Sequence, residues 1–175
     1  MSFYFDELCQ AMSLLAKSQG AVFLGQSVLF PGTAMFNTLK HIDPAKRLEL
    51  PVFEDCQLGM AIGMSLNGMH PVCCLFPRIN FLLLATSQLV LHLDAIPRYS
   101  EYRPRVIVRT AIATPEPLNP GPQHLGDHSL ALRSMLKTVA VVNLDRAEDI
   151  VPAYKVAMER EYSTLLIEHA ELYNK

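Results

Sequence analysis

Residues 50–72 read LPVFEDCQLGMAIGMSLNGMHPV and place two acids, Glu54 and Asp55, where a predicted strand gives way to a predicted helix. An acid in the first turn of a helix is stabilised by the helix dipole, and Asp55 fits that ordinary role. Glu54 either shares the role or is retained for chemistry. Behind the acids, Gly59 and Gly63 lie four residues apart, a spacing that leaves a flat helix face on which a partner helix can pack.

The sequence around this stretch alternates short apolar strands with helices. Strands are predicted at residues 21–25, 47–53, 70–76, 104–113, 138–144 and 163–169, and helices at 5–20, within 26–42, and at 55–68, 79–94, 127–137 and 146–160. The alternation predicts an α/β fold, with a doubly wound, mainly parallel sheet and helices on both faces. Ligands of such sheets bind beyond the carboxyl ends of the strands. We therefore expect Gln26, Glu54, residues 76–81 and the loop 114–128 to share one rim.

The composition predicts one domain, residues 1–175, with its own core. Half of the residues are hydrophobic and 18% are charged, which favours a surface hidden against a partner chain or a second copy. The net charge of −2 offers no basic footprint for nucleic acid. Long apolar runs and signal-peptide features are missing, so we expect no membrane span and a cytoplasmic protein. The four cysteines lack metal-site spacing and are expected to be reduced thiols.

Six segments, in this order, carry a family resemblance. They are VFLGQSV (22–28), RLELPVFEDCQLGMAIGMSLNGMHPV (47–72), NFLLLATSQLV (80–90), PRVIVRT (104–110), GPQH (121–124) and LLIEHAELY (165–173). Together they resemble the pyrimidine-binding domain of thiamine-diphosphate enzymes of the transketolase type. The most similar group is the N-terminal domain of 2-oxo-acid dehydrogenase (pyruvate dehydrogenase-like) beta subunits. The most specific part is P-x-x-E, four residues, G-x-x-x-G, four residues, G-x-x-P.

The resemblance implies a chemical role for Glu54. In this family the acid at that position hydrogen-bonds N1′ of the cofactor's aminopyrimidine, which favours the imino tautomer and so activates the ylide of thiamine diphosphate. Gln26 stands where the dehydrogenase subunits usually carry an acid. An amide there can hydrogen-bond the cofactor or a partner residue but cannot relay a proton.

The resemblance also implies roles for two aromatic rings and two histidines. Phe81 corresponds to the ring that stacks on the aminopyrimidine. Because the segment before it is one residue longer than usual, Phe76 is an alternative, and core packing is the ordinary role of either ring. His124 in GPQH corresponds to a histidine that faces the substrate and handles protons or orients its carbonyl. His128, four residues later, is expected to share that work.

The family holds the diphosphate and Mg²⁺ of thiamine diphosphate in a second domain, through a Gly-Asp-Gly run. No such run occurs in this sequence. We therefore expect a separate diphosphate-binding subunit to hold the Mg²⁺ and the charged end of the cofactor, in a homodimer or heterotetramer. The carboxyl-terminal domain of transketolases and dehydrogenase beta subunits is also expected to be absent from this chain.

Three functional hypotheses follow. The first is the pyrimidine-binding subunit of a split enzyme that cleaves or transfers a C–C bond of a 2-oxo acid or a sugar phosphate. The second is a non-catalytic, homo-oligomeric binding or regulatory protein that kept the fold. The third is an enzyme acting alone through Glu54 and His124, although nothing pairs them as nucleophile and base. Surface or sheet-edge salt bridges are favoured over contact with an anionic substrate for Arg78, Arg98, Arg103 and Arg109.

Overall fold

Six parallel strands form one sheet in the computed structural model, which describes residues 3–116 and 119–174. The strands are β1 (Val22–Gly25), β2 (Arg47–Glu49), β3 (Val72–Phe76), β4 (Val106–Ile112), β5 (Ala140–Asn143) and β6 (Thr164–His169). Their order across the sheet is β2-β1-β3-β4-β6-β5, and every neighbouring pair is parallel. The predicted loop 114–126 includes Pro117 and Leu118, which lie outside the described residues, as do Met1, Ser2 and Lys175.

Helices cover both faces of this sheet. They are α1 (Tyr4–Ala16), α2 (Ala34–Leu39), α3 (Glu54–Leu66), α4 (Ile79–Leu82), α5 (Ile96–Tyr99), α6 (Ser129–Met135) and α7 (Ala147–Glu159). One buried cluster joins α1, α2 and α7 to one face of the sheet, and a second joins α3, α4 and α6 to the other. The predicted α/β, doubly wound, parallel fold is therefore confirmed.

Adjacent cysteines in β3 show the alternation of the two faces. Cys73 belongs to the cluster under α1 and α7, and Cys74 belongs to the cluster under α3. Burial raises the pKa of the Cys73 thiol to about 12 and also raises the pKa of Cys74. All four cysteines are free, and these two are fully buried. Both therefore act as small core residues with protonated thiols.

The helix predicted over 79–94 is broken. After α4 the chain forms a 3-10 turn at Leu83–Ala85 and a π-helical segment at Gln88–Leu93. The two arms, Ile79–Ala85 and Gln88–Tyr99, are bent by 68°. At the break, Thr86 Oγ1 donates a 2.6 Å hydrogen bond to the carbonyl of Leu83, an alternative partner that competes with the regular helix ladder. Among the described residues, no single helix has the length and apolar composition needed to cross a membrane. The two bent arms, counted together, have that length and composition.

The stretch 47–53 forms a shorter strand than predicted. Pairing with β1 ends at Glu49, and the amide of Leu50 donates one last bond to Gly25. Pro51 has no amide hydrogen with which to extend the ladder. The chain turns at this point, and α3 begins at Glu54 itself, one residue earlier than predicted. Helix α6 begins at Ser129, two residues later than predicted, and the Asp127 carboxylate before it accepts the Ser129 amide at 2.8 Å, a local bond that competes with helix at this point.

Arg109 does not form the predicted surface or sheet-edge salt bridge. It lies in β4, inside the sheet, and is fully buried in an ion pair with Glu168 of β6. The hydroxyls of Tyr154 and Tyr173 donate to the same carboxylate, and Arg109 donates to Thr38 at 2.8 Å. Burial alone would lower the pKa of Arg109, but the adjacent Glu168 carboxylate outweighs it and the pKa is raised. Arg109 is therefore structural and unavailable to a ligand.

Candidate functional site

A crevice opens between β1 and β3 at the carboxyl edge of the sheet. The chain leaves β1 towards β2 and leaves β3 in the opposite direction, towards β4, so the two following loops diverge. A cavity of about 450 Å³ lies beyond these strand ends. Its lining includes Gln26 and Ser27 after β1, Arg78 and Phe81 after β3, Thr114 after β4 and Tyr173 after β6. Gln26 and parts of the segments 76–81 and 114–128 thus line this cavity, whereas Glu54 is not among its lining residues.

Glu49 holds the loop that follows β1. Its carboxylate, at the end of β2, accepts the backbone amides of Ser27, Val28 and Leu29 at 2.6, 2.7 and 2.8 Å. These three bonds fix the path of the chain directly after Gln26. Glu49 was not predicted as a site residue, although an acid at the carboxyl end of a strand predicted to lie at the ligand rim is a usable signal.

Gln26 and Glu54 lie together beside the cavity. Glu54 is the first residue of α3 and is only 6% exposed. Gln26 Nε2 donates to Glu54 Oε1 at 3.3 Å, and Gln26 itself lines the cavity. Asp55 is partly exposed and instead accepts a hydrogen bond from Gln88 at 3.3 Å. The two neighbouring acids therefore have different surroundings, and only Glu54 is coupled to the cavity wall.

The two histidines meet the segment that carries Phe81. The His124 and Phe81 rings lie 5.3 Å apart, edge to face, at an interplanar angle of 63°. His128 Nε2 lies 3.1 Å from Asn80 Nδ2, so with the amide in this orientation the ring proton is on Nδ1. Neither histidine lines the cavity, and among the described contacts none joins His124 to Glu54. The geometry gives no support to an enzyme that pairs those two residues alone.

Only one of the two candidate rings is accessible to a ligand. Phe76 is completely buried in the core between the sheet and α3. Its ring is surrounded by protein because β3 is covered on both faces, so the geometry favours Phe81 over Phe76 as the ring that meets a ligand. Phe81 is half-buried and lines the cavity. Asn80, directly before Phe81, was not predicted as a site residue, and for Arg78 a salt bridge had been favoured over contact with an anionic substrate.

The glycine face of α3 is only partly open. A methyl group placed on Gly59 would meet the Gln88 side chain at 3.6 Å, so its own chain covers this position. The same methyl on Gly63 would meet nothing within 4 Å. Val52 and Phe53, which immediately precede Glu54, are 77% and 62% exposed. An apolar surface thus adjoins the buried acid.

Metal-binding capacity is low in the part of the chain that the structure describes. No group of three or more His, Cys, Asp or Glu side chains is placed to hold a metal ion there. Asp127 lies beside His128, but its carboxylate is already bonded to the Ser129 amide, which lowers the pKa of Asp127. The residues therefore fit the aminopyrimidine end of thiamine diphosphate, with a buried acid and a ring, and offer no set of Mg²⁺ ligands.

This fold is shared with solved structures of other proteins. A split gene transketolase, described as an inactive beta4 tetramer, matches with a TM-score of 0.71 and 18% identity over 95% of this chain and 51% of that chain. A protein from Mycobacterium smegmatis, described as a candidate thiamin diphosphate-dependent enzyme, matches with a TM-score of 0.64 and 16% identity over 97% of this chain and 31% of that one. The chain thus spans about half and about a third of their lengths. No protein-family model and no curated protein matches the sequence. The likeness establishes the fold, and function has to be argued from the site.

Proposed function

We propose that this chain is the pyrimidine-binding subunit of a split thiamine-diphosphate-dependent enzyme, of the transketolase or 2-oxo-acid dehydrogenase type. Residues 1–175 form one pyrimidine-binding domain in this proposal. The observation that carries it is the buried carboxylate of Glu54, coupled through Gln26 to a cavity whose wall also presents the ring of Phe81. A separate subunit holds the diphosphate and Mg²⁺.

Bound thiamine diphosphate supplies a nucleophilic carbon and an electron sink for cleaving or transferring a C–C bond of a 2-oxo acid or a ketose. Glu54 hydrogen-bonds N1′ of the aminopyrimidine and shares a proton with that nitrogen. Gln26 orients the Glu54 carboxylate by its 3.3 Å hydrogen bond and, as an amide, holds no proton to relay. Phe81 stacks on the aminopyrimidine from the cavity wall.

His124 and His128 orient the substrate carbonyl and exchange protons with it. His124 Nδ1 is buried and has no hydrogen-bond partner among the described residues. Asn80 fixes the ring of His128 through the 3.1 Å contact. Both histidines reach the substrate from beside the Phe81 segment rather than from within the cavity of this chain alone.

The partner surface lies around the start and middle of α3. Exposed Val52 and Phe53 and the open position at Gly63 provide apolar and flat contact area beside Glu54. The split gene transketolase with the same fold is described as an inactive tetramer of its beta chain. By analogy, this chain alone forms an inactive homo-oligomer, and joining the diphosphate-binding subunit in a heterotetramer completes the site. The four free cysteines suit a cytoplasmic enzyme.

The test begins with co-purification from the native host, which identifies the diphosphate-binding subunit. The reconstituted pair is then given thiamine diphosphate and Mg²⁺, and exchange of the thiazolium C2 proton with deuterated water is followed by NMR. We expect faster exchange with the pair than with either chain alone. Tight, Mg²⁺-dependent binding of the cofactor by this chain alone, measured by calorimetry, would contradict the split site.

The inactive tetramer described for the neighbour also favours a second candidate, a non-catalytic homo-oligomer with a binding or regulatory role. The two candidates differ in what Glu54 does. A regulatory protein would need no acid at N1′, so exchange of the C2 proton would be no faster with the pair than without this chain. That result would replace the catalytic proposal with the regulatory one.

A further inference from the structure

Arg78 differs from the other three arginines that the sequence singled out. Those three are ion-paired: Arg98 with Asp94 at 3.7 Å, Arg103 with Glu101 at 4.0 Å, and Arg109 with Glu168. Within residues 3–116 and 119–174, no carboxylate lies at ion-pair distance from Arg78. The predicted salt bridge is therefore absent for Arg78, and its charge is left without a protein counter-ion in that part of the chain.

The side chain of Arg78 is held against the cavity. Its guanidinium carbon lies over the ring of Phe81, 5.9 Å from the ring centroid, and the residue is half-buried. A guanidinium carries its N–H donors along the edges of one plane. Those edges form a planar fork that matches a carboxylate or phosphate with two parallel hydrogen bonds.

The cavity offers an anion one cation that has no ion pair among the described residues. Among the lining residues that the structure describes, Arg78 is the single cation and Glu116 is the single acid. Glu116 is exposed and forms no ion pair with Arg78. The rest of the lining is apolar or neutral and polar, with hydroxyl groups from Ser27, Thr114 and Tyr173. An unpaired cation in a partly enclosed space attracts anions more strongly than it would in open water.

We propose that Arg78 is a specificity-determining residue that binds the anionic group, carboxylate or phosphate, of the substrate. Arg78 lies in the segment FPRINF (76–81), directly after the end of β3. The assignment of the bound molecule as the substrate rests on the proposed function. The affinity of the cavity for an anion does not rest on the proposed function, because Arg78 and Phe81 both belong to this chain and need no partner subunit.

The binding test uses the full chain without cofactor. Pyruvate and glycerol 3-phosphate serve as carboxylate and phosphate probes, ethyl pyruvate is the neutral match for pyruvate, and arginine Nε–H signals are followed by NMR. We expect saturable shifts of the Arg78 signal with at least one anion and none with the ester. Arg78→Gln should weaken that binding by about tenfold or more, whereas Arg133→Gln, at an exposed position on α6, should not. Wild-type affinity in Arg78→Gln, or no saturable shift with either anion, would overturn the proposal.

The kinetic test separates the two proposals. In the reconstituted pair, Arg78→Gln should raise KM for an anionic donor by about tenfold and lower kcat much less, because the contact is made in the ground state as well. Arg78→Lys keeps the charge but not the planar fork, so its KM should lie between those of wild type and Arg78→Gln. An unchanged KM in Arg78→Gln would reject the role of Arg78 in substrate binding and would leave the proposed function standing. Absent C2 proton exchange in the wild-type pair would reject the proposed function and leave the anion-binding result standing.

Discussion

Gln26 Nε2 donates a 3.3 Å hydrogen bond to Glu54 Oε1, and so joins the loop after β1 to the first residue of α3. The loop is in turn held by the three amide bonds to Glu49. The position of the buried acid is therefore set by two strand ends and one helix start.

Glu54→Gln should lower turnover of the reconstituted pair by at least about 100-fold, since an amide cannot share a proton with N1′. The melting temperature of this chain should change little. Asp55→Asn is the matched control, because Asp55 is the adjacent acid of α3 and contacts only Gln88 among the described hydrogen bonds. Steady-state kinetics and thermal melts check both variants. Turnover by Glu54→Gln equal to that of Asp55→Asn would end the catalytic interpretation.

Gln26→Met keeps the length of the side chain and removes the donor to Glu54. Hydrogen bonds to charged groups contribute about 1.5–3 kcal/mol, so turnover should fall by about tenfold or more if the bond orients the acid for reaction. Gln88→Met removes the comparable bond to Asp55 and should leave turnover unchanged. Equal effects of the two methionine variants would show that the Gln26 contact has no part in the chemistry.

Phe81→Ala should weaken thiamine-diphosphate binding by the pair by about tenfold, because a stacked ring contributes about 0.5–1.5 kcal/mol beyond its buried area. Phe76→Ala instead removes a fully buried ring and should lower the free energy of unfolding by about 3–5 kcal/mol. Calorimetry of cofactor binding and urea unfolding distinguish the two. A larger loss of stability in Phe81→Ala than in Phe76→Ala would reverse the assignment of the rings.

Arg109→Met should lower the free energy of unfolding by about 3–5 kcal/mol, because it leaves the Glu168 carboxylate buried without its cation. The double variant Arg109→Met/Glu168→Gln removes both charges and should recover part of the loss. Urea unfolding of the four proteins in this cycle gives the coupling free energy. Additive losses would mean that the two charges do not depend on each other.

The hydrogen bonds of the Asp94 carboxylate predict that the fold loses stability in acid. Its buried Oδ1 accepts the amides of Lys137, Thr138 and Val139 at 2.8, 2.7 and 2.9 Å. Burial alone would raise the pKa of Asp94, but these bonds outweigh it and the pKa is lowered. A lowered pKa stabilises the fold fully above the ordinary carboxyl range, and the contribution is lost as pH falls through the folded-state value.

The check for Asp94 is urea unfolding as a function of pH. The stability difference between wild type and Asp94→Asn should be constant above about pH 5 and shrink below about pH 4. The control is Asp149→Asn, which removes a partly exposed ion pair with Arg146 and should change stability little at any pH. A difference for Asp94→Asn that stays the same down to acid pH would refute the prediction.

Much of the site was predictable because its residues follow strand ends. Gln26, Glu54 and Phe81 were expected at one rim, and the structure places Gln26 and Phe81 in the cavity wall with Glu54 bonded to Gln26. Glu49, Asn80 and the unpaired state of Arg78 were not predicted. Each depends on a contact between segments far apart in the chain, which residue type and spacing do not specify.

The sequence by itself determined the α/β alternation, the two-faced burial of β3 and the start of α3 to within one residue, since these follow from the local period of apolar side chains. Only the tertiary structure decided which charges are paired. The sheet order places Arg109 beside Glu168 in the core. Next to the break after α4, the Phe81 ring lies at the cavity and the Arg78 guanidinium lies over it. Pairing of charges depends on distances of a few ångströms between distant segments, and burial alters its energy severalfold. A linear pattern of residues carries neither quantity.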